Sequence, residues 1–411
     1  MNTSPSGRPY LSPESMPMAP EAFVRFGDAR ATAGSAWIVD PGLAHHRGHH
    51  HPLDTLLHAA LKRLGDRTEV LCHRSFPPEP GFVPCFRHSI YEVRATSPAE
   101  LDTRLAAHAH AFDADLRQAL DERITKDGLL LFPTAHLSLL VPLHRWLASL
   151  PATRRPMTVR LHFHVAPTHG MDGDATRDRA NEHFVAAVQA LVRDQGVHCT
   201  ADHPQLAAEL SVLCGVAVEP VKSPHVVPAG VERVHRHDGR IRLLFIGEPR
   251  AEKGYVTVVQ ALATIVARTS RCDVRFVLPV MREADLAYLR TLPPDRVSVR
   301  LEDGLPTHAY FTEIAQADHV LCVYDRGRYA AMSSGIAVDA ALLDVPIIIT
   351  RGTATERAVV DPSRIHVLDD PTSAALVVLC EALDRAAADG GAAIASFDAA
   401  GEMQRAAQLE R

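Results

Sequence analysis

The chain has 411 residues, 46% of them apolar and 22% charged, which suits two ordinary globular cores and excludes a mainly disordered protein. A net charge of −6 with histidine neutral gives no global field for nucleic acid or an anionic membrane, and leaves room only for a local basic pocket. No apolar run approaches the roughly 18–20 residues of a membrane span, so a soluble, cytoplasmic protein is expected.

Residues 1–33, opening MNTSPSGRPYLSPESMPMAP, lack the basic head and apolar core of a signal peptide and read as a disordered leader. From residue 36 short apolar runs alternate with helical patterns. AWIVD reads as a strand, HPLDTLLHAALKRLG as an amphipathic helix stopped at Gly65, and TEVLCH as a second strand. Residues 77–93 are Pro-rich with a short strand at their end. SPAELDTRLAAHAHAFDADLRQALDERI is a long helix with a capping box at Ser97 and Glu100. GLLLF is a buried strand, and TAHLSLLVPLHRWLASL a helix carrying Pro142 as a kink site. MTVRLHFHV, a helix over about 175–194, VHCT, a helix over about 203–213 and VAVEPV complete a first half, residues 34–225.

Prolines, glycine and charges break the rhythm, and residues 226–240 read as a linker. Alternation restarts with IRLLFIG, a helix from about 253, DVRFVLPV, ADLAYLRTL, RVSVRLE, HAYFTEIAQA, HVLCVY, IAVDAALL and VPIIIT. This second half spans 241–390, and after a break at Gly390–Gly391 residues 391–411 read as a C-terminal helix. Strand–helix alternation predicts α/β structure: two doubly wound, largely parallel sheets covered on both faces. Ligands of such sheets bind outside the carboxyl ends of the strands, so a cleft faced by two such domains is the expected site. Cys72, Cys85, Cys199, Cys214, Cys272, Cys322 and Cys380 are odd in number and form no CxxC pair, as reduced core cysteines would be.

Two stretches carry anion-binding chemistry. In LLFIGEPRAEKG an apolar strand ends at Gly247, and a turn bearing Arg250 and Lys253 leads into a helix near Gly254. Glycine lets a ligand approach the backbone, and an ammonium pairs with phosphate. The competing reading is a plain strand–helix turn with a surface lysine; the GKS/T ending of a Walker loop is absent. In YDRGRYAAMSSGIAVDAALL a strand ends at Tyr324, followed by Arg326 and Arg328. Ser333 or Ser334 would cap the next helix, with Gly335 clearing space for a bulky anion. Asp339, one turn on, would reach a ribose diol. Taken alone, this is an ordinary capped helix; the pair within one domain favours a diphosphate cradle.

A third stretch, DPGLAHHRGHHHPLD at 40–54, has five histidines in seven positions. It reads as a metal site, a solvated loop or a substrate-facing loop. No HExxH motif or cysteine partner accompanies it, and consecutive histidines chelate adventitiously, so the substrate-facing reading is preferred and no metal is expected.

The C-terminal half resembles the nucleotide-sugar-binding domain of GT-B glycosyltransferases, nearest to glycosyltransferase family 4 and related bacterial members. FIGEPRAEKGYVTVVQAL is similar to that family's strand–Gly–turn–Lys–Gly–helix segment. YFTEIAQADHVLCVYDRGRYAAMSSGIAVDAALLDVPIIIT is similar to the segment running through the donor-binding helix. Tyr329 to Gly335 match a Tyr-x-x-Arg-Ser-Ser-Gly variant, except that Met332 replaces the Arg. RGHHHPLDTLLHAALKRLG resembles a Gly-Gly-His-His loop and first helix, with Arg47 in place of the first Gly and Gly48, His49 and His50 matching. LAAELSVLCGVAVEPVKSPH is similar to the segment that ends the N-terminal domain.

The resemblance implies a GT-B fold, two Rossmann-like domains facing across a cleft, and transfer of a sugar from a nucleotide diphosphate sugar to an unknown acceptor. It implies retention of anomeric configuration and no metal or other cofactor. Gly247, Arg250, Lys253, Arg328, Ser333, Ser334, Gly335 and Asp339 would hold the donor, with Lys253 on the diphosphate and Asp339 on the ribose. His49, His50 and His164 are the catalytic candidates, and Gly48 and Thr134, the latter at a helix start, lie on the acceptor side. His162 and His164 share one side of a strand, where a lone histidine is more often a satisfied core residue. Glu248, Ala331 and Asp344 depart from the family's usual Arg, Glu and Gly. An epimerase or phosphorylase on the same fold, or an inactive binding or scaffold protein, are the alternatives. Nucleotide sugar and acceptor are the expected partners, with no nucleic acid, and the chain is compatible with a homo-oligomer.

Overall fold

The computed structural model describes residues 19–25, 34–46, 48–64, 67–124, 128–151, 153–155, 158–168, 170–330, 332, 334–358 and 362–388. The chain divides into two compact units between Pro224 and His225.

The first unit runs α1 (Pro20–Arg25), β1 (Ser35–Asp40), α2 (His50–Arg63), β2 (Arg67–His73), β3 (Phe82–Phe86), α3 (Pro98–Leu120), β4 (Leu129–Phe132), α4 (Leu137–Ser149), β5 (Thr158–Phe163), α5 (Asp174–Gln195), β6 (His198–Ala201), α6 (Pro204–Cys214), β7 (Val218–Pro220). Its sheet has the order β3-β2-β1-β4-β5-β6-β7, with parallel neighbours throughout. Apolar runs such as LLLF arise because helices cover both faces. Side chains of β1 alternate accordingly: Trp37 and Val39 join the core under α3, α4 and α5, while Ala36 and Ile38 join the core under α1 and α2.

The second unit runs β8 (Ile241–Ile246), α7 (Tyr255–Arg268), β9 (Cys272–Leu278), α8 (Glu283–Leu289), β10 (Val297–Leu301), α9 (Thr307–Ala315), β11 (His319–Cys322), α10 (Gly335–Leu342), β12 (Ile347–Thr350), α11 (Ala354–Ala358), β13 (Ile365–Leu368), α12 (Ser373–Ala388). The order is β10-β9-β8-β11-β12-β13, again parallel. Strand order reverses between β1 and β4 in the first unit and between β8 and β11 in the second. The crevice outside the carboxyl ends at such a switch point is where doubly wound sheets bind ligands.

Several expectations shift. Pro20–Arg25, inside the stretch expected as disordered leader, is a helix: Phe23 and Val24 are buried, and the Phe23 carbonyl accepts from the buried Arg160 guanidinium at 2.7 Å. Residues 226–240, read as linker, pack on the second unit, with Val234 N donating to Ala315 O at 2.8 Å and Arg233 hydrogen-bonded to the Asp344 carbonyl. Helix α4 starts at Leu137, so Thr134 lies in the loop after β4 rather than at a helix start. The seven cysteines are free, six buried and Cys85 half-buried. The rest of the leader, Arg47, Gly65, Ala331, Ser333, Gly390–Gly391 and the helix expected over 391–411 lie outside the described residues. Among the described residues no helix is long and apolar enough to cross a membrane.

Candidate functional site

In the second unit the turn after β8 is dictated by a close backbone approach. Gly254 has φ +76°, and a Cβ there would stand 2.0 Å from the carbonyl oxygen of Val323, just beyond β11. Only glycine fits, and the turn is thereby pressed against the switch point. A one-turn 3-10 helix, Ala251–Lys253, precedes Gly254. Gly247, with φ +105°, sits where a Cβ would lie 3.7 Å from the Lys253 ammonium and 3.4 Å from Ile336 on the first turn of α10. Glycine, ammonium and helix start thus converge. Ser334 caps α10, accepting from Ala337 N at 3.3 Å, and its hydroxyl is 2.9 Å from the Tyr324 hydroxyl. By helix geometry the amides of Gly335 and Ile336 remain as first-turn donors at the positive end of the helix dipole.

Lys253 makes no ion pair among the described residues. Burial, and then the Arg250 guanidinium, bring its pKa down to about 8. Arg250 is exposed and pairs with Glu252 at 3.5 Å. Arg328 is exposed, with its backbone N–H on Asp325 Oδ1 at 2.8 Å. Both guanidiniums act electrostatically on the Tyr329 phenol, opposing the upward push of burial on its pKa.

Asp339 is buried, and both its oxygens are engaged: His225 Nδ1 is 2.8 Å from Oδ1, and the Tyr310 hydroxyl donates to Oδ2 at 2.9 Å. A carboxylate offers about four lone-pair sites, so the residue keeps capacity for a ligand while being fixed from two sides. The His225 ring also lies 3.3 Å from where a Gly335 Cβ would stand, so His225 bridges the cap and Asp339. Neither His225 nor Tyr310 was marked by the sequence reading.

In the first unit, β1 ends in Asp40, fully buried at the switch point. Its Oδ1 accepts from Gly42 N at 2.9 Å, and its Oδ2 lies 2.5 Å from His50 Nδ1. His50 Nε2 in turn lies 3.0 Å from the Tyr91 hydroxyl. With Nδ1–H donated to the carboxylate, Nε2 accepts from the phenol. Asp54, one turn after His50 on α2, is fully buried; burial and the neighbouring Asp40 carboxylate push its carboxyl well above the usual range. Gly42 is required by packing: a Cβ there would fall 2.6 Å from His50 Cε1.

His49 is exposed and stacks on His50 with ring centroids 4.3 Å apart, and its ring centroid lies 5.2 Å from that of His164. His164 Nε2 is 2.9 Å from the Pro133 carbonyl, and burial lowers its pKa. Gly48, with φ +79°, has open space around its Cα. Thr134 is buried and its hydroxyl makes no hydrogen bond among the described residues. His162 is satisfied internally by Thr200 at 2.9 Å and Ser223 at 3.3 Å, a core histidine. The structure thus gathers Gly247, Lys253, Ser334, Gly335 and Asp339 in the second unit, and His49, His50 and His164 in the first. Asp40, Gly42, Asp54 and Tyr91 are additions; the available signal was an acidic residue and Pro-Gly turn closing an otherwise apolar first strand.

No family model and no curated protein sequence matches the chain. Solved structures do. Sucrose-phosphate synthase from Thermosynechococcus elongatus is 15% identical with a TM-score of 0.53, covering 87% of this chain and 90% of that one. The lipopolysaccharide outer core galactosyltransferase WaaB is 13% identical with a TM-score of 0.54, over 87% and 91%. The α,α-trehalose 6-phosphate synthase from Burkholderia multivorans is 10% identical with a TM-score of 0.52, over 86% and 88%. At these identities the likeness is one of architecture, and the fold of this chain is that of the GT-B glycosyltransferases.

Proposed function

We propose that the chain is a glycosyltransferase that moves a sugar from a nucleotide diphosphate sugar to an acceptor hydroxyl, retaining anomeric configuration and using no catalytic metal. The observation that carries this is the Lys253 ammonium: half-buried, without an ion-pair partner among the described residues, and set beside Gly247 and the start of α10. A sunken cation next to free first-turn amides fits an anion that arrives with the substrate. As the glycosidic bond breaks, charge accumulates on the departing diphosphate. Lys253 and the Gly335 and Ile336 amides stabilise it there, with Arg250 and Arg328 neutralising from the flank. Asp339, held by His225 and Tyr310, takes the nucleotide ribose.

The first unit handles the acceptor. His49 is the presented ring, held by its stack on His50. His50 is a positioning residue, since Asp40 and Tyr91 already occupy both its nitrogens. Calorimetric titration with UDP-, GDP-, ADP- and TDP-sugars tests the reading. One of them binds, and Lys253→Ala weakens that binding by about 10-fold or more; if none binds, the proposal fails. Donor isomerisation without acceptor would make the protein an epimerase instead.

A further inference from the structure

The histidine loop holds more side chains than the acceptor reading uses. His46 and His51 flank Gly48 and His49, and both turn Nε2 onto one carboxylate, Glu79, on the connection between β2 and β3. His46 Nε2 lies 3.2 Å from Glu79 Oε2; His51 Nε2 lies 3.0 Å from Oε2 and 3.3 Å from Oε1. All three ligand atoms fall within 4.8 Å of one another. An aromatic wall fixes the rings. His46 and His51 meet edge to face at 4.6 Å, and Phe76 packs on them at 4.9 and 5.6 Å, with Phe82 5.5 Å from His51.

We propose that His46, His51 and Glu79 form a binding site for a borderline divalent transition metal, zinc by preference. Zinc bonds of about 2.0–2.2 Å place tetrahedral ligands about 3.3–3.5 Å apart, and two of the three edges already have nearly that length. The third edge, between the imidazoles, closes by rotation of His46, which is 42% exposed. Two imidazoles and one carboxylate suit zinc rather than magnesium or calcium, which demand more oxygen ligands. The fourth position is left to water. Because the two histidines bracket Gly48–His49 while Glu79 comes from a different loop, the ion staples the loop that presents His49. Its role is structural, apart from the departing diphosphate.

The site differs from adventitious chelation by a histidine run in one respect: it needs Glu79. Full-length protein stripped with chelator is titrated with zinc against a chromophoric competitor, and with cobalt followed by its visible ligand-field bands. The expected result is one equivalent bound with four-coordinate cobalt bands. Glu79→Gln and His46→Ala each weaken binding by about 10-fold or more, and His45→Ala leaves it unchanged. Zinc also increases amide protection over residues 45–51. Wild-type zinc affinity in Glu79→Gln, several equivalents bound, or equal loss in His45→Ala would each overturn the assignment. His46 is on the surface, so its variant reports on the site even if Glu79→Gln disturbs the loop. The readout is metal rather than turnover, and it stands independently of the donor site.

Discussion

Lys253→Met removes the ammonium and keeps an unbranched chain. A depression from the ordinary 10.5 to about 8 means that holding the charge at neutral pH costs the folded state about 3 kcal/mol, mostly through lost hydration and then through Arg250. The variant should therefore be more stable than the wild type without ligand, by up to about 3 kcal/mol near pH 7. It should also bind nucleoside diphosphates more weakly by about 1.5–3 kcal/mol, or about 10- to 150-fold in Kd. The pH dependence has a definite sign. Between about 8 and 10.5 the unfolded chain holds the proton that the folded protein has released. Wild-type stability thus gains a rising contribution across that window, which Lys253→Met lacks. Anion affinity runs the other way and falls above about pH 8. Urea unfolding at both ends of the window, paired with calorimetric titration of UDP, GDP and ADP, reads all three effects. A less stable variant, or one whose diphosphate affinity stays within about twofold of wild type, would refute the assignment of Lys253 to the phosphate.

Gly254→Ala, with φ +76° and a Cβ 2.0 Å from the Val323 carbonyl, should cost at least about 2–3 kcal/mol in urea unfolding. Gly42→Ala drives a methyl to 2.6 Å from the His50 ring; turnover should fall about 10- to 100-fold with donor affinity unchanged, and an unaltered kcat would remove His50 from the mechanism. Tyr310→Phe leaves a buried Asp339 oxygen short of its donor and should cost about 1–3 kcal/mol by thermal or chemical unfolding. For Asp54, whose folded carboxyl is pushed above its ordinary 3.8, the stabilising contribution is complete below that value and is lost as pH rises through the folded pKa. Asp54→Asn should accordingly flatten the acid-side stability profile and raise stability at neutral pH.

The two parallel sheets were legible because strand and helix periods are local, and so is the punctuation at Gly247, Lys253–Gly254 and Ser334. What escaped depends on partners far along the chain. Phe23 and Val24 are two apolar residues in a Ser- and Pro-rich stretch; their burial comes from packing on the first sheet, and the Arg160 bond to Phe23 spans 137 residues. Tyr91 reaches His50 across 41 residues, and His225 reaches Asp339 across 114. The histidine loop was read as one feature, yet its members divide by orientation: His50 turns to Asp40 and Tyr91, His46 and His51 turn to Glu79, and His49 stays exposed. No spacing rule predicts that division, because it is decided by which carboxylate each ring finds.

The same fold element carries different electrostatics in the two units, and this supports the proposed division of roles. At the β8–β11 switch the converging groups are an ammonium and helix amides, which together favour a diphosphate. At the β1–β4 switch they are Asp40, Asp54, His50 and Tyr91, two buried carboxyls beside hydrogen-bonding rings. A phosphate charge about 5 Å from the Asp40–Asp54 pair would be repelled by about 3 kcal/mol at an effective dielectric of about 20. An alcohol meets no such penalty. On the proposed assignment, charge disfavours the donor at the first unit and favours it at the second. Replacing Asp40 alone would break the Gly42 and His50 contacts, so Asp54→Asn, which leaves those contacts in place, is the cleaner test of the raised Asp54 carboxyl.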